Sequence, residues 1–260
     1  MAPQKSVHSD VLATVKDCWP EFSLISTLSS GMVCFGMALI GTAYFASGMH
    51  RFREQGGGIT PFVLMVGAAV LVYILYLGAA PYYYGIRWFY TRAAEGTTMP
   101  LSSLFACYSS RDMILRCIRM KILSDIAGLI RLIPGAAVCV GSLWLSRFFT
   151  TGSGADRAYI FFVTVVIIAG LLITQILRAD VIFAPYIFVT DMSADPFAVL
   201  KKSREEAKRK RREVIASVLS VFPLVLLVPF VFPMIFLIPY VDLFYAVLFK
   251  REEAPDEEPS

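Results

Sequence analysis

The sequence predicts an all-α fold, a polytopic transmembrane bundle of six spans. Hydrophobic residues make up 57% of the 260 residues and charged residues 17%, whereas soluble domains average about 45–50% and about 25%. The charges are concentrated in short segments, which leaves long uncharged runs between them. A helix of about 20 apolar residues spans the ~30 Å hydrocarbon core of a bilayer. The predicted spans are 24–46, 61–84, 122–145, 159–177, 214–231 and 233–249.

The first two predicted spans are bounded by clear signals. The run 24–46 has 23 residues and no charge. No apolar signal segment precedes it, because Asp10 and Lys16 lie close to the N-terminus, so we expect the first span itself to direct insertion. The second span, 61–84, begins with Pro61, a favourable first-turn residue. It leaves through aromatic residues typical of a headgroup interface: Tyr82, Tyr83, Tyr84, Trp88 and Tyr90.

The third and fourth predicted spans differ in polarity. The segment 122–145 is apolar except for Asp125 and Arg131, and an amphipathic stretch leads into it. The segment 159–177 is strongly hydrophobic throughout. Its helical pattern continues past Asp180, although we expect the polar residues there to mark the membrane boundary.

The last hydrophobic segment is too long for one span. Residues 214–249 number 36 and are interrupted only by Asp242, and a straight helix of that length would extend ~54 Å. The prolines Pro229, Pro233 and Pro239 favour a break, because each removes a helix hydrogen bond. We predict two spans, since the backbone in lipid must be satisfied within helices. One span plus an interfacial helix, which makes five spans in all, is the alternative.

The distribution of Lys and Arg predicts the orientation. With the N-terminus inside, the segments on the cytoplasmic side hold most of these residues. The opposite side receives only Arg51, Arg53, Arg147 and Arg157. The positive-inside rule therefore predicts that both termini face the cytoplasm. In the five-span alternative the acidic tail, 250–260, would lie outside.

A basic segment before the fifth span predicts an interfacial helix, 196–213. Asp195 is a good N-cap and Pro196 a good first helical residue. Lysine and arginine beside a span are attracted to anionic headgroups by about 1 kcal/mol each. Specific lipid recognition and nucleic-acid binding are alternatives, the second disfavoured because no aromatic platform accompanies the charges. The residues expected to contact headgroups are Lys201, Lys202, Arg204, Lys208, Arg209, Lys210, Arg211 and Arg212.

Ionisable residues within or beside the predicted spans are further candidates for function. A charge at mid-bilayer costs about 2.5–3.5 kcal/mol unless it is paired. Lys121 and Asp125 are four residues apart, so they share a helical face and can neutralise each other. We favour structural pairing or interfacial snorkelling, and a transport path is the alternative. The candidates are Lys121, Asp125, Arg131, Asp180 and Asp242.

Enzymatic and metal-binding motifs do not occur in the sequence. It carries no H-E-x-x-H, G-x-S-x-G or G-x-x-x-x-G-K-[ST]. Its five cysteines form no C-x-x-C pair and have no histidine cluster beside them, which argues against a zinc site or a disulfide framework. We therefore expect no catalytic, metal-binding or cofactor-binding residues.

Short motifs along the chain are similar to those of one membrane family. They are 85–90 (Gly-Ile-Arg-Trp-Phe-Tyr), 100–105, 184–186, 200–203, 219–220, 239–240 and 244–245. Through them the chain resembles the bacterial family called domain of unknown function 975, in the divergent form common in Gram-positive anaerobes. The resemblance runs from about the second span to the tail. It implies a helical bundle in a bacterial plasma membrane, with no catalytic residue to carry over.

These patterns predict a non-enzymatic scaffold or accessory protein of the cell envelope. A small-molecule or lipid transporter is the first alternative. A membrane enzyme is the second, and it would need two or three titratable groups gathered at one depth near the cytoplasmic face. The expected partners are the lipid bilayer, its anionic headgroups and another membrane protein, without nucleic acid. The sequence leaves the oligomeric state open.

Overall fold

The computed structural model describes residues 7–46, 59–97, 99–146, 155–216, 219 and 231–250. In these ranges every regular element is a helix, which confirms the all-α prediction for the described part of the chain. The chain divides into two compact units. Unit 1 comprises Met1–Lys121 and Leu227–Ser260, and unit 2 comprises Ile122–Leu226. Unit 2 is therefore inserted into the sequence of unit 1.

Unit 1 consists of helices that surround an aromatic core. In chain order they are α1 (Val7–Asp17), α2 (Trp19–Ala46), α3 (Ile59–Gly78), α4 (Ala80–Ala94), the 3-10 helix η1 (Leu101–Tyr108), the start of α5 (Arg111–Ser146), and α9 (Val231–Lys250). Helix α9 packs against α1, α2 and α4. The buried Phe22 ring lies between elements, with its centroid 5.9 Å from that of Phe89 and 5.2 Å from that of Tyr90.

The helix predicted over 61–84 is not continuous. Helix α3 ends at Gly78, and α4 starts at Ala80 with a bend of 43° between them. Pro81 lies in the first turn of α4, where its missing N–H is tolerated. In a continuous helix the same proline would remove a hydrogen bond and clash with the preceding turn. The span predicted over 61–84 therefore falls on two helices with a bend between them.

Gly85 allows η1 to approach α4 closely. A Cβ atom at position 85 would overlap the carbonyl group of Leu104. The two backbones therefore touch at this point, and any side chain larger than hydrogen would push them apart. Position 85 therefore requires glycine.

The described residues contain two helical segments long and apolar enough to cross a membrane, Trp19–Tyr44 and Thr164–Thr190. The bent pair Phe62–Gly78 and Ala80–Ala94 makes a third if it is one span. The count of six spans is therefore not supported. The second of the two segments also runs past the predicted end at residue 177.

The other three predicted spans have different outcomes. The third, 122–145, lies in α5, a 36-residue helix whose apolar run is interrupted by Asp125 and Arg131. The fifth, 214–231, lies largely outside the described residues, as does the acidic tail. The sixth, 233–249, is helical within α9, but α9 is not among the candidate spans.

Unit 2 is a helical hairpin with shorter helices packed at one end. Its elements are the remainder of α5, α6 (Ala155–Arg178), the 3-10 helix η2 (Ala179–Val181), α7 (Ala184–Thr190) and α8 (Pro196–Arg209). A Cβ at Gly135 of α5 would overlap the Thr174 hydroxyl of α6, so small residues let the two helices approach. Helix α8 packs against η2 and α7.

Candidate functional site

The start of α8 agrees with its sequence signals. The Asp195 carboxylate accepts hydrogen bonds from the backbone N–H groups of Phe197 and Ala198, at 3.2 and 3.3 Å. Pro196 occupies the first turn. The predicted N-cap and first residue are therefore confirmed.

The end of α8 differs from the prediction of one helix over 196–213. Helix α8 ends at Arg209, a turn follows at Lys210, and residues 211–216 are again helical. Lys210 is buried, and its Nζ lies 5.6 Å from the centroid of the Phe183 ring. A cation over an aromatic face is attracted to it, so this lysine faces the interior of unit 2. The other seven predicted headgroup residues are exposed.

One face of α8 fastens it to the rest of unit 2. Val199, Ser203 and Ala207 are buried and recur every four residues, which is the spacing of a single helical face. The Ser203 hydroxyl donates a hydrogen bond to the backbone carbonyl of Asp180, at 2.9 Å. The contact holds α8 beside the end of α6.

A second face of α8 combines positive charge with one aromatic ring. Lys201, Arg204 and Lys208 follow Phe197 at intervals of three or four residues, so all four side chains share a face. Phe197 is 67% exposed, although exposure of a large apolar side chain to water is unfavourable. Glu206, by contrast, pairs with Arg209 at 2.8 Å on the other side of the helix.

Arg131 and Asp180, both predicted candidates, meet in unit 2. The Arg131 guanidinium lies 3.4 Å from the Asp180 carboxylate, and the Arg204 guanidinium lies 3.8 Å from the same oxygen. Arg131 also donates a hydrogen bond to the Ala127 carbonyl at 2.8 Å. Asp180 therefore joins α5, η2 and α8.

A third arginine, which the sequence reasoning did not include, belongs to the same place. The guanidinium atoms of Arg178 lie 3.6 to 3.9 Å from the position that a Cβ on Gly128 would occupy. Gly128 is three residues before Arg131 on α5, so it lies almost one turn away on the same side. We call Arg131, Arg178, Arg204 and Asp180 the arginine cluster. It contains three positive groups and one carboxylate.

Asp242 has a different environment, in unit 1. It forms an ion pair with Arg87, and both side chains are only 14% exposed. At the ends of the same two helices, Lys250 pairs with Glu95 at 2.8 Å. Glu95 is eight residues after Arg87, and Lys250 is eight residues after Asp242, so α4 and α9 run parallel. Residues 95 and 250 therefore lie at the same end of unit 1.

Glu95 also pairs with Arg92 at 2.9 Å. The hydrogen bond from Lys250, followed by that from Arg92, lowers the pKa of Glu95 below its usual value. The carboxylate of Glu95 is therefore negatively charged in the folded protein at neutral pH.

Lys121 is packed against aromatic rings. It is 8% exposed, and its Nζ lies 4.7 Å from the Tyr76 ring centroid and 4.4 Å from that of Tyr83. Arg87 also lies close to the Tyr83 ring, with its Cζ 4.9 Å from the centroid. The sequence reasoning considered only Asp125 as a partner of Lys121; Asp125 itself is half-buried on α5.

Metal-binding groups of three or more His, Cys, Asp or Glu side chains do not occur among the described residues. Comparison of the chain with protein-family models, curated proteins and solved structures finds no match. The resemblance to the family of unknown function stays a prediction. In the residues that the structure describes, the regular elements are all helices and include two or three candidate membrane spans, which is compatible with a membrane location.

Proposed function

We propose that this chain is a non-enzymatic integral protein of a bacterial plasma membrane, which acts as a scaffold or accessory for another envelope protein. In this proposal α8 lies on the membrane surface and contacts anionic headgroups. The observation that carries it is the outer face of α8, where Phe197 and three cations are exposed together.

The position of α8 supports this role. Its inner face is hydrogen-bonded to the backbone of Asp180, directly after the apolar helix α6. A basic helix beside an apolar segment is the usual arrangement of a juxtamembrane surface helix. At about 1 kcal/mol for each Lys or Arg near an anionic surface, Lys201, Arg204 and Lys208 together contribute roughly 3 kcal/mol.

The transport alternative finds less support in the geometry. It requires Asp125, Arg131 and Asp180 to line a path for a solute. Arg131 and Asp180 instead pair with each other across helices, which is how charged residues are neutralised when they serve a structural role.

Fluorescence of a probe at position 197 tests the membrane contact. On a cysteine-free background, Phe197→Cys carries an environment-sensitive dye, and the protein is reconstituted in vesicles with or without phosphatidylglycerol. We expect a blue-shifted emission and quenching by spin-labelled lipids when phosphatidylglycerol is present. A control dye at Glu205, outside the cationic face, should respond less. Equal, water-like emission at both positions contradicts the proposed contact.

Copurification tests the scaffold role. The chain is crosslinked in native membranes and purified in a mild detergent, and the proteins and lipids that accompany it are identified. We expect one protein to be enriched with stoichiometric yield, and to be lost from a variant lacking the cations of α8. Recovery of an isolated, lipid-free monomer contradicts the scaffold proposal.

The proposed orientation has both termini in the cytoplasm. The parallel register of α4 and α9 supports it, because residues 95 and 250 at one end of unit 1 agree with the same membrane side for both. Single cysteines introduced at Gly57, Ser153 and Ser260 should be labelled outside, outside and inside, respectively. Labelling of Ser260 from outside would contradict this orientation.

A further inference from the structure

We infer that the arginine cluster of unit 2 binds the phosphodiester group of an anionic phospholipid. The inference rests on the proposed membrane role of α8, and it names the ligand for a group of side chains that shares only Arg204 with the outer face of α8. Three properties of the cluster support it: the charge balance, the position along the apolar surface, and the contacts that hold the guanidinium groups.

The cluster has more positive than negative charge. Arg131 and Arg204 contact one carboxylate, that of Asp180, and Arg178 adds a third guanidinium beside Gly128, close to Arg131 on α5. The contacts to Asp180 measure 3.4 and 3.8 Å, whereas a charge-assisted hydrogen bond is about 2.7–2.9 Å. Because each guanidinium carries five N–H donors, a single carboxylate at these distances leaves donors for a second anion.

The cluster is also accessible. The side chain of Arg204 is 61% exposed and that of Asp180 is 36% exposed, and Arg178 is exposed. An anion can therefore approach without displacement of the helices. A wholly buried cluster of this composition would instead need its counter-charge inside the protein.

The apolar surface of unit 2 ends at the cluster. On α6, Ile173 and Leu177 are exposed, whereas Phe183 and the α7 residues 184–189 are buried by packing within the protein. On α5, the residues next to Arg131 are also exposed and apolar: Leu129, Ile130 and Ile133. An amphiphile with its acyl chains along these residues would place its headgroup beside the arginines.

Three elements hold the guanidinium groups in place. Arg131 is fixed by the Ala127 carbonyl, Arg178 lies against the backbone at Gly128, and α8 with Arg204 is fastened by the bond from Ser203 to Asp180. A positioned guanidinium donates two parallel hydrogen bonds to a phosphate, whereas lysine acts as a point charge. This chemistry favours phosphodiesters with a net negative charge over zwitterionic headgroups, in which a cationic group balances the charge of the phosphodiester.

Native mass spectrometry of the full chain in a nonionic detergent tests the site. Phosphatidylglycerol, phosphatidylcholine or inorganic phosphate is added to delipidated protein. We expect one retained phosphatidylglycerol molecule and at least tenfold weaker binding in Arg178→Gln and in Arg178→Gln/Arg204→Gln, since hydrogen bonds to charged groups are the stronger class. The matched control, Arg111→Gln/Arg119→Gln, removes two exposed cations at the start of α5, which have no part in the cluster or in the outer face of α8, and should change the affinity less than threefold.

The conservative variant Arg178→Lys separates geometry from charge. It should bind phosphatidylglycerol more weakly than the wild type and more tightly than Arg178→Gln, with an unchanged melting temperature as evidence of folding. Equal losses in the cluster and control variants overturn the site, yet leave the surface contact of α8 standing, because the dye at position 197 reports that contact independently. Binding of inorganic phosphate in place of lipid, or of phosphatidylcholine equally well, also overturns it.

Discussion

Unit 1 and unit 2 both join their helices through charged side chains, but the two arrangements differ in balance and exposure. In unit 1, Arg87 and Asp242 form a one-to-one pair with both side chains 14% exposed. In unit 2, Arg131 and Arg204 contact Asp180, Arg178 lies nearby at Gly128, and the side chains of Asp180 and Arg204 are more exposed. In a balanced and buried pair the two charges neutralise each other, so the role of the pair is to join helices. An unbalanced and accessible cluster retains capacity for an external anion.

The largest expected effect is on the buried pair of unit 1. Asp242→Ala leaves Arg87 buried with its carboxylate partner removed, which should lower the free energy of unfolding by about 3–5 kcal/mol. Replacement of both residues, as Arg87→Met/Asp242→Leu, should restore most of this loss. Thermal unfolding in detergent measures both variants. Similar melting temperatures for Asp242→Ala and the wild type would mean that the pair does not join α4 to α9.

The contact between α4 and η1 should be nearly as sensitive. Gly85→Ala introduces a Cβ that overlaps the Leu104 carbonyl, so the backbones must separate, at a cost of about 1–3 kcal/mol. Gly31→Ala is the matched control, because a Cβ at that helical position has no neighbour within 4 Å. The control should be neutral or slightly stabilising, since alanine is the better helix former. A comparable loss in both variants contradicts the close approach.

The arginine cluster should respond in the opposite way to removal of its acid. Asp180→Asn deletes the carboxylate that contacts Arg131 and Arg204 and competes with an external anion for them, so phosphatidylglycerol should bind several-fold more tightly. The same variant should be less destabilised than Asp242→Ala, because Asp180 is more exposed. Lipid titration and thermal unfolding of one preparation give both values. Weaker lipid binding would show that Asp180 positions the arginines and does not compete with the ligand.

The N-cap of α8 contributes a smaller stability. Asp195→Ala removes the acceptor for two backbone N–H groups, which should cost about 1 kcal/mol. Asp195→Asn retains a capping oxygen and should cost less. Hydrogen exchange of the first turn of α8 measures the effect locally. Unchanged exchange in Asp195→Ala would mean that Pro196 and the packing of Val199 are sufficient to start the helix.

The smallest expected effect is the acid dependence of the Glu95 contacts. The pKa of Glu95 is lowered in the folded protein from its usual value of 4.5, so its contribution to stability is complete above about pH 4.5 and is lost as the pH falls through the lower folded value. Glu95→Gln should therefore reduce the decline in melting temperature between pH 5 and pH 3. An identical decline in variant and wild type would assign the effect to other carboxylates.

The features that sequence reasoning predicted are mostly local. The N-cap at Asp195 depends on residues two and three positions away, and the structure confirms it. Pro81 was a local signal for the bend after Gly78. The aromatic residues around it were interpreted as a headgroup interface, so the break was not predicted. The turn at Lys210 had no signal, because one lysine in a basic run resembles the next and only packing against Phe183 distinguishes it.

The pairings of charges could not be predicted from spacing. Arg131 and Asp180 are 49 residues apart, and their contact depends on how α5 and α6 form the hairpin. Arg87 and Asp242 are farther apart still, with all of unit 2 between them in sequence. The i, i+4 rule finds partners only within one helix. It therefore suggested Asp125 for Lys121 and missed the Tyr76 and Tyr83 rings.

The packing of α9 against α1, α2 and α4 sets an order of events during synthesis. Helix α9 begins at Val231, whereas α4 ends at Ala94, and a ribosome adding about 5–20 residues per second needs roughly 7 to 30 seconds to make the intervening chain. The inserted unit is thus translated in full while its host still lacks a helix. Helix α4 is therefore made before Asp242 can pair with Arg87. A chaperone or insertase would be needed most in this interval, before the chain is released.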